Sequence, residues 1–125
     1  MLIGLLEDNP SIVEMLVTAF EMEGHTAEVH LNGLSLLHRL APAAPFPYDV
    51  LIVDLGLPGG ISGMDILAHL EQTFPQDFTS IFVLSGTDLN ELERVSMRFP
   101  KMEILRKPVR LAALFQALLA IGRSS

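Results

Sequence analysis

The sequence of 125 residues has no cysteine, few basic residues and no long apolar run. Without cysteine it can form neither a disulfide framework nor a cysteine-ligated metal site. Eight basic against fifteen acidic residues give a net charge of −7, which argues against the basic face that direct nucleic-acid binding needs. The most apolar late segment, Leu111 to Ile121, has about half the length that spans a bilayer, so we expect no membrane insertion.

The composition is typical of a globular protein. Half of the residues are apolar and 18% are charged, which excludes a disordered tail. The apolar N-terminal residues run directly into Glu7 and Asp8 without a basic leader, so no secretory signal is recognised. We therefore expect a soluble, cytoplasmic protein with one domain over residues 1–125.

Short apolar runs alternate with segments of helical periodicity, which is the pattern of a parallel α/β sheet. The predicted strands are Leu2 to Leu6, His25 to Leu31, Tyr48 to Val53, Ser80 to Leu84 and Met102 to Leu105. The third run is nearly all apolar, as expected of a central strand buried on both faces. The sequence thus predicts an α/β fold of five βα units.

Helix signals follow each predicted strand. Asn9 and Pro10 suit an N-cap and a first helical position, and Gly24 is placed to end that helix. Leu34 to Leu40 predict a short second helix, and the prolines that follow predict a loop on the face opposite the site described next. Apolar spacing predicts three more helices, with inward residues Ile66, Leu67, Leu70 and Phe74, then Leu89, Leu92, Val95 and Phe99, then Leu111, Leu114, Phe115, Leu118 and Ile121.

Polar side chains recur at the carboxyl ends of the predicted strands. Glu7 and Asp8 follow the first strand, Asp54 the third, Ser85 the fourth and Lys107 the fifth. Ligands of open α/β sheets bind outside the carboxyl ends of the strands, so we expect these side chains to share one site. Acidic residues there are often merely solvated, and a lone lysine before a proline is often a surface residue, but the complete set favours a site.

Three carboxylates in one pocket need a cation. At about 4 Å and an effective dielectric constant near 20, each like-charge pair costs roughly 4 kcal/mol. Oxygen ligands without histidine or cysteine point to Mg²⁺. A carboxylate can also attack phosphorus and form an aspartyl phosphate, and Asp54, after the central strand, is the best placed of the three. Lys107, the Ser85 hydroxyl and backbone N–H groups would neutralise phosphoryl oxygens.

Four short motifs follow one another in separate βα units: Leu5-Leu6-Glu7-Asp8-Asn9, Val53-Asp54-Leu55-Gly56-Leu57-Pro58, Val83-Leu84-Ser85-Gly86 and Lys107-Pro108. Together they resemble the receiver domain of response regulators in two-component signalling, and the resemblance covers nearly the whole chain. It implies a single doubly wound (βα)5 domain with the flavodoxin-like strand order 2-1-3-4-5.

The resemblance also implies roles for the acidic residues. Asp54 is expected to be the phosphorylated residue. Asp8 and Asp54 are expected to bind Mg²⁺ directly, together with the backbone carbonyl of Gly56, and Glu7 to act through water.

The same resemblance implies a phosphoryl donor and a signalling role. Ser85 and Lys107 would contact the phosphoryl group, which would come from a phosphohistidine on a histidine kinase or phosphotransfer protein. Receivers similar to this one also accept phosphate from small donors and slowly hydrolyse it. We therefore expect a phosphoacceptor signalling domain, not an enzyme in the usual sense.

The output surface is also implied by the family. The fourth helix, fifth strand and fifth helix form the face that receivers commonly use for partners or for dimers, here including Leu89, Glu93, Lys101, Arg106 and Arg110. Because only four residues follow the fifth predicted helix, we expect a stand-alone switch, a relay intermediate or a piece of a larger protein.

Two positions depart from the family pattern. Gly63 lies nine residues after Asp54, where a spacing of eight is usual, so Gly59-Gly60-Ile61-Ser62 carries one extra residue. Ile104 stands where a tyrosine or phenylalanine usually relays the signal. These departures leave open an alternative function, a receiver-like adaptor that binds partners without phosphorylation. An aspartyl phosphatase is disfavoured because Gly56 stands where a second aspartate is needed.

Overall fold

The chain folds as alternating strands and helices around one parallel sheet. The computed structural model describes residues 1–41, 43–57, 61–86, 88–100 and 102–124. The strands are β1 (Leu2–Leu6), β2 (Thr26–His30), β3 (Val50–Asp54), β4 (Ile81–Ser85) and β5 (Glu103–Arg106). The α-helices are α1 (Pro10–Met22), α2 (Gly33–Arg39), α3 (Gly63–Thr73), α4 (Leu89–Arg98) and α5 (Leu111–Ser124). The strand order is β2-β1-β3-β4-β5, which confirms the predicted fold.

β1 has the predicted bounds, and the other four strands begin or end one or two residues away from theirs. Pairing between neighbours sets these ends: Asp54 at the end of β3 pairs with Leu84 of β4, and Ser85 at the end of β4 pairs with Arg106 of β5. The prediction had ended both strands one residue earlier, because it followed apolar runs alone. Two candidate site residues are therefore themselves the last residues of central strands.

Side-chain caps begin four of the helices, and the cap of α1 is the one that the sequence predicted. The Asn9 Oδ1 atom accepts hydrogen bonds from the N–H groups of Ser11 and Ile12, at 2.9 and 3.2 Å, and Pro10 opens α1. Gly24 lies just beyond the end of α1 with a φ of 81°. Such caps satisfy N–H groups that have no partner inside the helix. The caps of α2, α3 and α4 are Asn32, Ser62 and Asp88.

The sheet separates two layers of helices. Apolar residues of α2, α3 and α4, among them Leu36, Ile66 and Val95, pack on one face. Residues of α1 and α5, among them Phe20 and Leu114, pack on the other. Every residue of β3 and β4 is buried, as expected of central strands covered on both faces.

Two details on the α4 side differ from the prediction. Leu89, expected to point inward, is 65% exposed because it lies in the first turn of α4, directly after the N-cap Asp88. A 3-10 helix over Pro75–Ser80, which was not predicted, joins α3 to β4. Among the described residues no helix is long and apolar enough to cross a membrane.

Candidate functional site

Three of the expected site residues meet at the carboxyl end of the sheet. The Lys107 Nζ atom lies 3.1 Å from Asp54 Oδ2 and 3.3 Å from Glu7 Oε2. Both carboxylates are buried, with exposed fractions of 0% for Glu7 and 1% for Asp54. One ammonium group, on a side chain that is a quarter exposed, therefore faces two buried carboxylates.

Backbone N–H groups hold the other oxygen of each buried carboxylate. Glu7 Oε1 accepts from the N–H of Asn9 at 3.1 Å, and Asp54 Oδ1 accepts from the N–H of Gly56 at 2.9 Å. Asp8 is exposed at the rim, and one carboxylate oxygen from each of the three acids lies within 4.8 Å of the others. Three convergent oxygen donors fit a hard divalent cation such as Mg²⁺.

The charges in this pocket are not balanced. Burial, and then the neighbouring Asp54 carboxylate, raise the pKa of Glu7, although the Asn9 N–H and Lys107 act in the opposite direction. Burial lowers the pKa of Lys107, but its ion pairs with Asp54 and Glu7 outweigh burial, so this pKa is raised overall. The pocket thus favours one more positive charge than Lys107 supplies.

Ser85 brings a buried hydroxyl to the same edge of the sheet. It is 0% exposed, and its Oγ atom has no hydrogen-bond partner among the described residues. The Ser85 carbonyl accepts from the N–H of Lys107 at 2.7 Å, which ties the backbone of the two residues together. The Lys107–Pro108 peptide bond is cis. A buried hydroxyl without a partner is costly, and a bound ligand oxygen would satisfy it.

The glycine with unusual spacing has a packing role. A Cβ atom on Gly63 would lie 2.8 Å from the Cα atom and 2.6 Å from the Cδ2 atom of Leu55. Any larger residue would push on the backbone directly after Asp54. Despite the extra residue in the preceding loop, Gly63 thus packs against Leu55, the residue that follows Asp54. Pro58, Gly59 and Gly60 lie outside the described residues.

Ile104 is the residue that stands where receivers usually have an aromatic ring. It is half-buried in β5 and packs against the core formed with α2, α3 and α4. Gly86, after the hydroxyl, has no atom within 4 Å of the position where a Cβ would lie.

Two supports of the pocket escaped the sequence analysis. The N–H of Asn9 holds Glu7, and the N–H of Glu7 donates to the carbonyl of His30 at 3.0 Å. Asn9 was recognised only as a cap, although its place two residues after Glu7 was a usable signal. The contact with His30 depends on the pairing of β1 with β2 and has no local signature.

Comparison with known proteins assigns the chain to one family. A family model described as the response regulator receiver domain matches residues 3–119. The chain belongs to this family. Receiver domains serve phosphorylation-dependent signalling, bind Mg²⁺ at an acidic pocket and interact with histidine kinases or phosphotransfer proteins.

Relatives and solved structures agree with this assignment. The chain is 28% identical over 119 residues to the transcriptional regulatory protein TcrA of Mycobacterium tuberculosis, covering 95% of this chain and 45% of TcrA. It therefore spans about half the length of the curated relatives it matches. A response regulator receiver domain protein from Clostridium thermocellum superposes with a TM-score of 0.79 at 26% identity, covering 98% of this chain and 95% of that one. A sensor protein from Polaromonas sp. JS666 gives 0.77 at 26% identity, covering 99% and 98%.

Proposed function

We propose that this receiver is phosphorylated on Asp54 and that phosphorylation changes its binding to protein partners. The observation that carries the proposal is the pairing of buried Asp54 with Lys107 at 3.1 Å, beside a buried Ser85 hydroxyl without a described partner. A nucleophilic carboxylate, a fixed cation and a free hydrogen-bond donor at the carboxyl end of one sheet are the parts that phosphoryl transfer requires.

The side chains have distinct roles in the proposed transfer. An Asp54 carboxylate oxygen attacks the phosphorus of a phosphohistidine; the new O–P bond forms while the P–N bond breaks, and the imidazole keeps the electron pair. The Lys107 ammonium group, already held at Asp54, neutralises one phosphoryl oxygen. The Ser85 hydroxyl donates to another. Small phosphoryl donors, and slow hydrolysis by water, would use the same arrangement.

The acidic residues would hold Mg²⁺. Asp8 and Asp54 would bind the ion directly together with the Gly56 carbonyl, and Glu7 would act through water. Bound Mg²⁺ supplies positive charge for the phosphoryl oxygens. The convergence of three carboxylate oxygens within 4.8 Å and the raised pKa of Glu7 support this assignment.

Partners would dock at the surface formed by α4, β5 and α5. Leu89, Glu93, Arg106 and Arg110 are all exposed there, and Lys101 lies outside the described residues. A groove of about 560 Å³ lies between β5 and α5 and forms part of this surface. An exposed leucine among charged residues suits a protein partner or a second copy.

Intact-protein mass spectrometry tests the proposed phosphoacceptor. Wild type incubated with acetyl phosphate and Mg²⁺ should gain the mass of one phosphoryl group, and Asp54→Asn should not. Asp65→Asn is the matched control, because Asp65 is an exposed acid in the first turn of α3 and should leave the reaction unchanged. Equal labelling of wild type and Asp54→Asn would refute the assignment of Asp54. No labelling of the folded wild type, with partner binding retained, would establish the adaptor function instead.

A further inference from the structure

A second cluster of chemically active side chains lies between β2 and α2, away from the acidic pocket. The His30 Nδ1 atom is 2.9 Å from the Ser35 hydroxyl. Its Nε2 atom is 2.8 Å from the Tyr48 hydroxyl and 3.2 Å from Glu28 Oε1. A serine, an imidazole and a carboxylate thus form a continuous hydrogen-bonded chain.

The hydrogen bonds determine which nitrogen of His30 carries the proton in the neutral ring. The Tyr48 hydroxyl donates a hydrogen bond to Glu28 Oε1 at 2.8 Å, and burial followed by Glu28 raises the pKa of this phenol. Both neighbours of Nε2 therefore present acceptor oxygens, and the Nε2–H donates to them. Nδ1 is left with a lone pair directed at Ser35, so the hydroxyl donates to it.

Burial and charge suit a serine activated by a base. Ser35 is exposed whereas His30 is only 7% exposed, so solvent and small molecules reach the serine while most of the imidazole ring is shielded. Glu28 is partly buried, but its bonds with Tyr48, Arg39 and His30 outweigh burial and lower its pKa. A carboxylate ion therefore faces Nε2 at neutral pH and fixes the orientation of the ring.

We propose that Ser35 is a nucleophilic serine that accepts an acyl group from activated esters, with His30 as the general base and Glu28 as the residue that positions it. The Ser35 Oγ atom attacks the ester carbonyl carbon while its proton passes to His30 Nδ1. The bond from that carbon to the leaving oxygen then breaks, and the leaving group takes the proton from His30. The products are an acylated Ser35 and a free alcohol.

The cap of α2 limits this reaction to a single acyl transfer. The Ser35 backbone N–H donates to Asn32 Oδ1 at 2.8 Å, so it is not available to stabilise an oxyanion. Loss of such donors slows acyl transfer by about 10²–10³-fold in enzymes, in acylation and in hydrolysis alike. An activated ester, whose leaving group departs readily, still acylates Ser35, whereas the serine ester that results is not activated and hydrolyses slowly. The acyl group should therefore stay on Ser35, which makes the residue a modification site and not the centre of an esterase.

The reagent p-nitrophenyl acetate tests the proposal on the whole chain without Mg²⁺. We expect one equivalent of nitrophenolate, one acetyl group per chain, and its location on Ser35 by peptide mass spectrometry. Ser35 should react at least about tenfold faster than an ordinary serine, since general-base assistance contributes about 10²–10⁴-fold in enzyme sites. Because this label differs in mass and position from a phosphoryl group on Asp54, neither result depends on the other.

Three variants decide the outcome. Ser35→Ala and His30→Asn should both abolish the rapid acetylation, and Ser96→Ala, which removes an exposed serine of α4, should not. Circular dichroism establishes that each variant is folded; if His30→Asn unfolds, Tyr48→Phe, which should slow the reaction, replaces it. Acetylation of Ser35 at the rate of Ser96, or a rate unchanged in folded His30→Asn or Tyr48→Phe, would overturn the proposal.

Discussion

Two polar clusters, the acidic pocket and the cluster between β2 and α2, contrast in how completely their groups are paired. In the acidic pocket, Glu7 and Asp54 share one ammonium group, and the Ser85 hydroxyl has no described partner. In the β2–α2 cluster, a single oxygen of Glu28 accepts from Tyr48, Arg39 and His30.

The pKa shifts of the two glutamates show the same contrast. The pKa of Glu7 is raised, chiefly by burial, whereas that of Glu28 is lowered because its hydrogen bonds outweigh burial. A cluster whose groups are all paired stabilises the fold by itself. A cluster with excess negative charge and a free donor is costly until a ligand completes it, which is typical of functional sites. The predictions below test this difference.

The largest effect is expected for Lys107→Met. Removing the ammonium group leaves two buried carboxylates facing each other, and we expect a loss of about 3 kcal/mol in the free energy of unfolding, the low end for a broken buried pair because Lys107 is partly exposed. Urea denaturation at neutral pH measures it. The pKa of Lys107 is raised, so its contribution is complete below the ordinary lysine value of 10.5 and is lost as the pH rises through the folded value.

Arg110→Met is the matched control for this variant. Arg110 is an exposed cation just before α5, and its loss should change stability by less than about 0.5 kcal/mol. Added Mg²⁺ should raise the unfolding midpoint of wild type, because a ligand of the folded state stabilises it. Equal effects of the two substitutions would show that Lys107 does not hold the carboxylates together.

The second effect is expected for Tyr48→Phe. The change removes the hydroxyl that bonds Glu28 and His30 but keeps the ring that contacts Phe46 at 5.7 Å. We expect a loss of about 1–2 kcal/mol, as for a buried hydrogen-bonded group whose partners are left behind. Thermal unfolding with and without Mg²⁺ should give the same loss. A loss that Mg²⁺ abolishes would mean that the two clusters are not independent.

The third prediction is a gain, not a loss, in the free energy of unfolding. Glu7→Gln removes one of two neighbouring buried charges, and we expect a gain of about 1 kcal/mol, since a like-charge pair costs about 4 kcal/mol at 4 Å and Lys107 offsets most of it. The raised pKa means that wild type loses stability as the pH rises from the ordinary value of 4.5 through the folded value, so the gain should vanish in acid. Isothermal titration should show weaker Mg²⁺ binding. Lower stability of the variant at neutral pH would contradict the excess-charge interpretation.

The two clusters also differ in how far the sequence could predict them. Each member of the acidic pocket follows or ends an apolar run, so the α/β alternation alone brought Glu7, Asp54, Ser85 and Lys107 to one edge. The β2–α2 cluster has no such signal. Tyr48 lies before β3 and reaches Glu28 of β2 across β1, a contact that strand order and side-chain direction decide together.

The lack of a local signal for long-range contacts also explains which details of the fold were predicted wrongly. Strand ends followed hydrogen-bonded pairing and not hydrophobicity, so Asp54 and Ser85 joined strands that the apolar runs had ended earlier. Leu89 matched the helical period of α4, but periodicity does not tell which turn of a helix lies over the sheet. Local patterns thus predicted the elements and the pocket, whereas long-range pairing decided the supports around them.

The smallest effect is expected for Arg39→Met, which leaves Glu28 paired with only Tyr48 and His30. The Arg39 Nε atom lies 2.8 Å from Glu28 Oε1, but both side chains are partly exposed, so the loss should be about 0.5 kcal/mol at neutral pH. The pKa of Glu28 is lowered, so this contribution is present above its ordinary value of 4.5 and disappears as the pH falls through the folded value. Arg98→Met, which breaks the more exposed pair with Glu71, serves as the control at neutral pH and should cost less. Urea denaturation as a function of pH should therefore give wild type and Arg39→Met the same free energy of unfolding in acid. A difference that persists there would show that Arg39 acts through its contact with the Tyr48 ring, 5.8 Å away, and not through its ion pair with Glu28.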